Sequence, residues 1–224
     1  MNSLRLRMGR CVIALALLSP LAALAACPEV IGTYEVTSAQ VAPELNNTVA
    51  RDELTRVAQA QRPGPADGLT DVQFGFRVKF EAGPNRDGCP TTNINARLVA
   101  DTAVVYIARE LDVKGCRFRA VYDHELLHVQ IGQRALDQAA LALRASLKRA
   151  PAAFGTEYID GLPPESQLRP WLRRELERAL EVARAQYTRH NDELDVPEEA
   201  HRLANMCDTT IRYHLGSQVY QLDQ

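Results

Sequence analysis

Between Val72 and Phe80 every second residue is apolar: Val72, Phe74, Phe76, Val78 and Phe80 alternate with Gln73, Gly75, Arg77 and Lys79. A period of two turns one face of a strand toward a core and the other toward water. Ile94, Ala96 and Leu98 repeat the alternation, and Ala103 to Ala108 is a continuous apolar run. Two further strands are expected there, parted around Asp101-Thr102. Upstream, Val30 to Val41 is rich in β-branched residues and predicts a first strand that Pro43 ends. Glu44 to Gln61 carries Leu45, Val49, Leu54, Val57 and Ala58 near helical spacing, which predicts a helix from about Thr48. The Gly/Pro-rich stretches 62–68 and 83–88 read as loops.

After Gly115 the period changes. From Arg117 to about Arg149 the only Gly or Pro is Gly132, and Ala, Leu, Arg and Gln dominate. These are good helix formers, so one long helix is expected, closed by Ala150-Pro151. Ser166 to Thr188 repeats the helical stripe with Leu172, Leu176, Ala179, Ala183 and Tyr187. Arg189 to Val196 reads as a polar break. Pro197-Glu198-Glu199 opens a last helix, expected to reach about Val219. Strands first and helices later predict an α+β fold, with residues 27–224 as one domain.

The first 26 residues stand apart from that pattern. Arg5, Arg7 and Arg10 precede the apolar run Cys11 to Leu18 and a small-residue stretch, as in a secretory signal peptide. Ala23-Leu24-Ala25 fits ordinary cleavage. Leu24-Ala25-Ala26-Cys27 also fits a lipobox, whose cysteine would carry a lipid anchor. The expectation is an exported protein, periplasmic or secreted, with membrane attachment only if Cys27 is lipidated. Cys27, Cys89, Cys116 and Cys207 remain after the leader. An even number in an oxidising compartment suggests two disulfides, with three pairings open. Cys89 with Cys116 would staple the strands, and Cys27 with Cys207 would tie the N-terminus to the last helix. A formal net charge of −2 gives no reason to expect a nucleic-acid partner.

The long helix contains Tyr122-Asp123-His124-Glu125-Leu126-Leu127-His128, a His-Glu-x-x-His sequence. On a helix, residues four apart share a face, so His124 and His128 can offer two imidazole nitrogens to one metal ion. Glu125 stands about 100° round the helix from His124, beside that ion. A catalytic zinc takes three protein ligands. The extension that would supply a third histidine is absent, since Ile131 and Arg134 occupy its Gly and His positions. Candidates for the third ligand are His190 in the polar break, taken first, then His201 and His214. Glu157, Glu175, Glu177 and Glu181 are carboxylate alternatives. Asp123 reads as a helix-start acid or a partner of a ligand.

The motif helix resembles that of the zincin metallopeptidases. The whole arrangement is similar to bacterial secreted proteins regarded as zinc-dependent proteases. The resemblance implies a Zn²⁺ cofactor, His124 and His128 as ligands, and Glu125 as general base on a zinc-bound water. It also implies hydrolysis of a peptide or protein substrate in the cell envelope or outside the cell. The run Ala103 to Ala108 would accept an extended peptide if it lies at a sheet edge, and reads as a buried strand if central. The alternative function is a non-catalytic envelope protein or lipoprotein that binds metal or a protein partner.

Overall fold

The computed structural model describes residues 34–58, 64–84, 90–149, 165–207, 211–215 and 218–222. The signal-peptide expectation for residues 1–26 falls outside the described residues, as do Cys27, Cys89, Glu157 and the side chain of His214. In chain order the elements are β1 (Tyr34–Ala39), β2 (Glu44–Asn46), α1 (Arg51–Ala58), β3 (Gly68–Pro84) and β4 (Pro90–Ile107). The helices α2 (Cys116–Lys148), α3 (Glu165–Leu194) and α4 (Pro197–Asn205) follow. The hairpin β5 (Ile211–Leu215) and β6 (Gln218–Leu222) comes last. The strands of the main sheet precede the long helices, and the class is α+β.

β4 is the centre of the sheet. β3 pairs with it antiparallel along its whole length, from Gly68 opposite Ile107 to Pro84 opposite Pro90. β1 and β2 pair parallel with its other side, Tyr34 opposite Ile94 and Glu44 opposite Val104. Because both keep the same offset, they form one strand interrupted at 40–43, where Pro43 removes a ladder donor. The helix expected from about Thr48 starts three residues later, at Arg51, and Glu44–Asn46 before it extends the sheet as β2.

The two strands expected on either side of Asp101-Thr102 are a single one. Gln73 pairs with Thr102 and Phe74 with Ala100, which leaves Asp101 as a bulge. The bulge shifts the buried set from Ile94, Ala96, Leu98 and Ala100 to Ala103, Val105 and Ile107 while keeping them on one face. The displaced Asp101 side chain lies across Gly75, where a Cβ would sit 2.0 Å from its Oδ2, and accepts from Arg77 at 2.9 Å. The run Ala103 to Ala108 is therefore central rather than an edge.

α2 lies on this sheet and α3 lies antiparallel on α2. Leu136, Leu143 and Leu147 meet Leu168, Leu172, Leu176 and Leu180, with Val36, Leu98 and Phe74 beneath. Burying one such leucine contributes about 2 kcal/mol. Ala135, Ala139, Ala140 and Ala183 are buried in the same cluster. α1 packs through Leu54 and Ala58 on Ala66 and Ala108. The backbone bond from Ala108 N–H to Asp67 O, 2.8 Å, then fixes segment 66–68 beside the start of α2.

Two helix expectations change. α3 does not stop at Thr188 but runs through the polar stretch to Leu194, because no Gly or Pro interrupts it before Pro197. The last helix ends at Asn205, and 211–215 pair antiparallel with 218–222 instead. Ile211, Tyr213, Val219 and Tyr220 favour strands. Among the described residues no helix is long and apolar enough to cross a membrane.

Candidate metal centre

α2 presents His124, Glu125 and His128 at its inner face, each almost fully buried at 6, 2 and 4 % exposure. Their donor atoms lie within 4.8 Å of one another, a group that can hold a metal ion. Among the described residues these are the only buried charged or polar side chains, so their burial demands compensation.

The compensation comes from the end of α3 and from α4. Along the antiparallel pair, Tyr187 packs at Gly132, Asn191 at His128, and Asp195 at both His124 and His128. Asp195 Oδ1 stands 3.0 Å from His124 Nε2 and 3.2 Å from His128 Nε2, and the two Nε2 atoms are 3.2 Å apart. Each ring is held from behind. Asn191 Oδ1 lies 2.9 Å from His128 Nδ1, and Glu199 Oε1 lies 3.2 Å from His124 Nδ1. Arg202 forms a two-pronged ion pair with Glu199 and, against partial burial, holds its carboxyl below the usual range, with His124 adding to this. Ionised, Glu199 only accepts.

This pattern has a consequence for protons. With Nδ1–H directed at Asn191 and Glu199, each Nε2 keeps a lone pair. Three acceptor atoms, two Nε2 and Asp195 Oδ1, then face one another within 3.2 Å. In that tautomer a cation among them, either a proton on one ring or a metal ion, relieves the repulsion. The spacing suits donors sharing an ion at about 2.0–2.1 Å, and outer oxygen partners on Nδ1 orient ligating histidines in this manner. Burial lowers the pKa of His128, but the Asp195 hydrogen bond, the charges of Glu125 and Asp195, and Asn191 together raise it overall.

Glu125 sits slightly apart. Its Oε2 is 4.0 Å from His128 Nε2, farther than the 3.2 Å of Asp195 Oδ1. Thr70 Oγ1 on β3 lies 2.8 Å from Glu125 Oε2 and 3.1 Å from its backbone oxygen. Tyr187 stacks edge-on against Phe74 at 5.4 Å, and its enclosed hydroxyl meets no group in hydrogen-bonding geometry. Burial pushes that phenol up to about 12, the nearby Asn191 amide pulls the other way, and the charges of Glu125, Asp71 and Asp195 raise it further. It is a neutral donor at any ordinary pH.

A cavity of about 1220 Å³ opens onto His124, Glu125 and Asp195 between segment 64–68, the start of α2 and α4. Arg117 closes its floor: it donates to Asp67 at 2.8 and 3.1 Å and to the Leu203 carbonyl. Cys116 and Cys207 are at disulfide distance, with Cα atoms 5.8 Å apart, and join the start of α2 to the end of α4. This pairing replaces the suggested Cys89–Cys116 and Cys27–Cys207 connections, because α4 folds back against the start of α2.

The other sequence candidates fall elsewhere. The His190 side chain is 41 % exposed and bonds Glu193 at 2.9 Å, on the flank of α3 away from the cluster. His201 is exposed on the cavity rim. Glu175 pairs with Ser146 and Arg178, Glu177 pairs with Arg173, and Glu181 and Asp123 are exposed. Asp195, Asn191 and Thr70 carry no sequence signature of a site, and Glu199 reads from sequence only as a helix-start acid. Helical spacing from Tyr187 would have found Asn191 and Asp195 once α3 was carried through the polar stretch. Comparison of the chain with protein-family models, with curated proteins and with solved structures found no match.

Proposed function

We propose that the protein is a zinc-dependent peptidase of zincin type, with His124, His128 and Asp195 holding the metal and Glu125 as general base. The observation that carries this reading is the convergence of two Nε2 atoms and one carboxylate oxygen within 3.2 Å, with a second buried carboxylate beside them. Two imidazoles and one carboxylate form a donor set that suits zinc and leaves a coordination position for chemistry. Zinc bound there would polarise a substrate carbonyl and make water nucleophilic near neutral pH.

The chain's own part is proton transfer and orientation. Glu125 accepts a proton from the attacking water and returns it to the leaving amine. The substrate peptide enters through the cavity between segment 64–68 and α4. Asn191 and Glu199 keep the two imidazoles in the metal-binding tautomer. The leader-like first residues and the Cys116–Cys207 pair favour an exported, oxidising setting.

Metal analysis of the purified protein together with Glu125→Gln tests the proposal. Glu125→Gln should keep about one zinc per chain and lower hydrolysis of a labelled casein by roughly 10²- to 10⁴-fold, the usual contribution of a general base. Hydrolysis that survives the substitution would remove Glu125 from the role. A wild-type protein with stoichiometric zinc and no turnover would favour the non-catalytic metal-binding alternative.

A further inference from the structure

Glu125 occupies an unusual seat. Its Oε2 is 4.0 Å from His128 Nε2, so a small side-chain rotation would carry the carboxylate onto a shared metal ion. A divalent cation attracts it there. Two features of β3 oppose this. Thr70 Oγ1 lies 2.8 Å from Oε2 and 3.1 Å from the Glu125 backbone oxygen. A hydroxyl has one hydrogen, and the charged carboxylate is the stronger acceptor. Gly68 supplies the second feature: a Cβ on it would stand 2.5 Å from Glu125 Oε1, 2.8 Å from its Cγ and 2.7 Å from Val121 Cγ1. The carboxylate rests directly on bare backbone.

We infer that Thr70 and Gly68 are positioning residues that hold the Glu125 carboxylate out of the metal's coordination shell, keeping one coordination position open. This rests on the proposed metal site. Without the hydroxyl, the carboxylate swings in as a fourth protein ligand. The metal is then held more tightly, and the base is lost to the reaction. A side chain at position 68 displaces the carboxylate by a different atom, with the same result.

The test is titration of the full-length protein with Co²⁺, whose visible absorption reports coordination number, alongside casein hydrolysis. Thr70→Val should bind Co²⁺ roughly 10- to 100-fold more tightly, the range a charged hydrogen bond represents. Its absorption should change, and kcat should fall with little change in KM. Thr70→Ser should restore all three, and Gly68→Ala should reproduce the altered absorption. If Thr70→Val does not fold, Thr70→Ala carries the same expectation. A wild-type Co²⁺ spectrum and affinity in the valine or alanine variant overturns the inference, as does a serine variant that restores nothing. A wild-type protein that binds no Co²⁺ overturns the metal reading itself, and the inference with it.

Discussion

Asp195→Ala is expected to weaken metal binding on the order of 10³-fold, whereas His190→Ala should leave it within about twofold. A complete zinc site binds with about 10–16 kcal/mol, so one of three protein ligands accounts for several kcal/mol. Asp195 Oδ1 is 3.0 and 3.2 Å from the two Nε2 atoms, while the His190 ring faces Glu193 on the exposed flank of α3. Competition against a chromophoric chelator at pH 7 measures both. If the histidine variant loses the metal and Asp195→Ala does not, His190 rather than Asp195 is the third ligand.

The same site makes a pH statement. In the metal-free protein His128 holds its proton more tightly than an ordinary imidazole at 6.5, chiefly through Asp195 once burial is overcome. That proton's contribution to stability is fully present below 6.5 and is lost as pH rises through the higher folded value. Metal affinity runs the opposite way, because the ion must displace the proton, and so should fall as the solution is acidified toward that range. Asp195→Ala should flatten the acid-side gain in stability of the metal-free protein.

Breaking the Cys116–Cys207 connection should have the largest effect on stability. The two cysteines are 91 residues apart, and a loop of that size constrains the unfolded chain by about 4 kcal/mol. For a chain this long, that corresponds to a fall in Tm of roughly 8–16 °C. The loss should reach the metal as well. α4 is otherwise held to α2 by Arg117 on the Leu203 carbonyl and by Glu199 on His124. An oxygen partner on a ligating histidine typically contributes 10- to 100-fold in affinity. The Cys116→Ser/Cys207→Ser protein should therefore melt earlier and bind zinc more weakly. Glu199→Gln should weaken zinc binding with little change in Tm. Equal melting temperatures for wild type and the double serine variant would refute the stabilising role.

Some of this was legible in residue spacing. The alternation from Val72 to Phe80 gave β3 its buried face, and the uninterrupted stretch after Gly115 gave α2. On that helix the separation of His124 and His128 already required a shared face. The bulge at Asp101 was visible only as a break, since loss of alternation looks the same whether a strand ends or slips by one residue. The polar stretch 189–194 lacks an apolar stripe, yet it is helical because it continues a helix already formed and nothing in it stops propagation.

The sequence by itself determined what lies within one element: which residues of a strand face inward, and that two imidazoles and a carboxylate project from neighbouring positions of one helix. Periods of two and 3.6 residues fix those relations locally. Only the tertiary structure decided the rest. It made β4 central, brought Cys207 to Cys116, set Thr70 and Gly68 against Glu125, and brought Asp195 rather than His190 to the two histidines. Those pairings depend on how α3 and α4 pack on α2, and packing is settled by the fit of whole apolar faces over long separations, which no local spacing records.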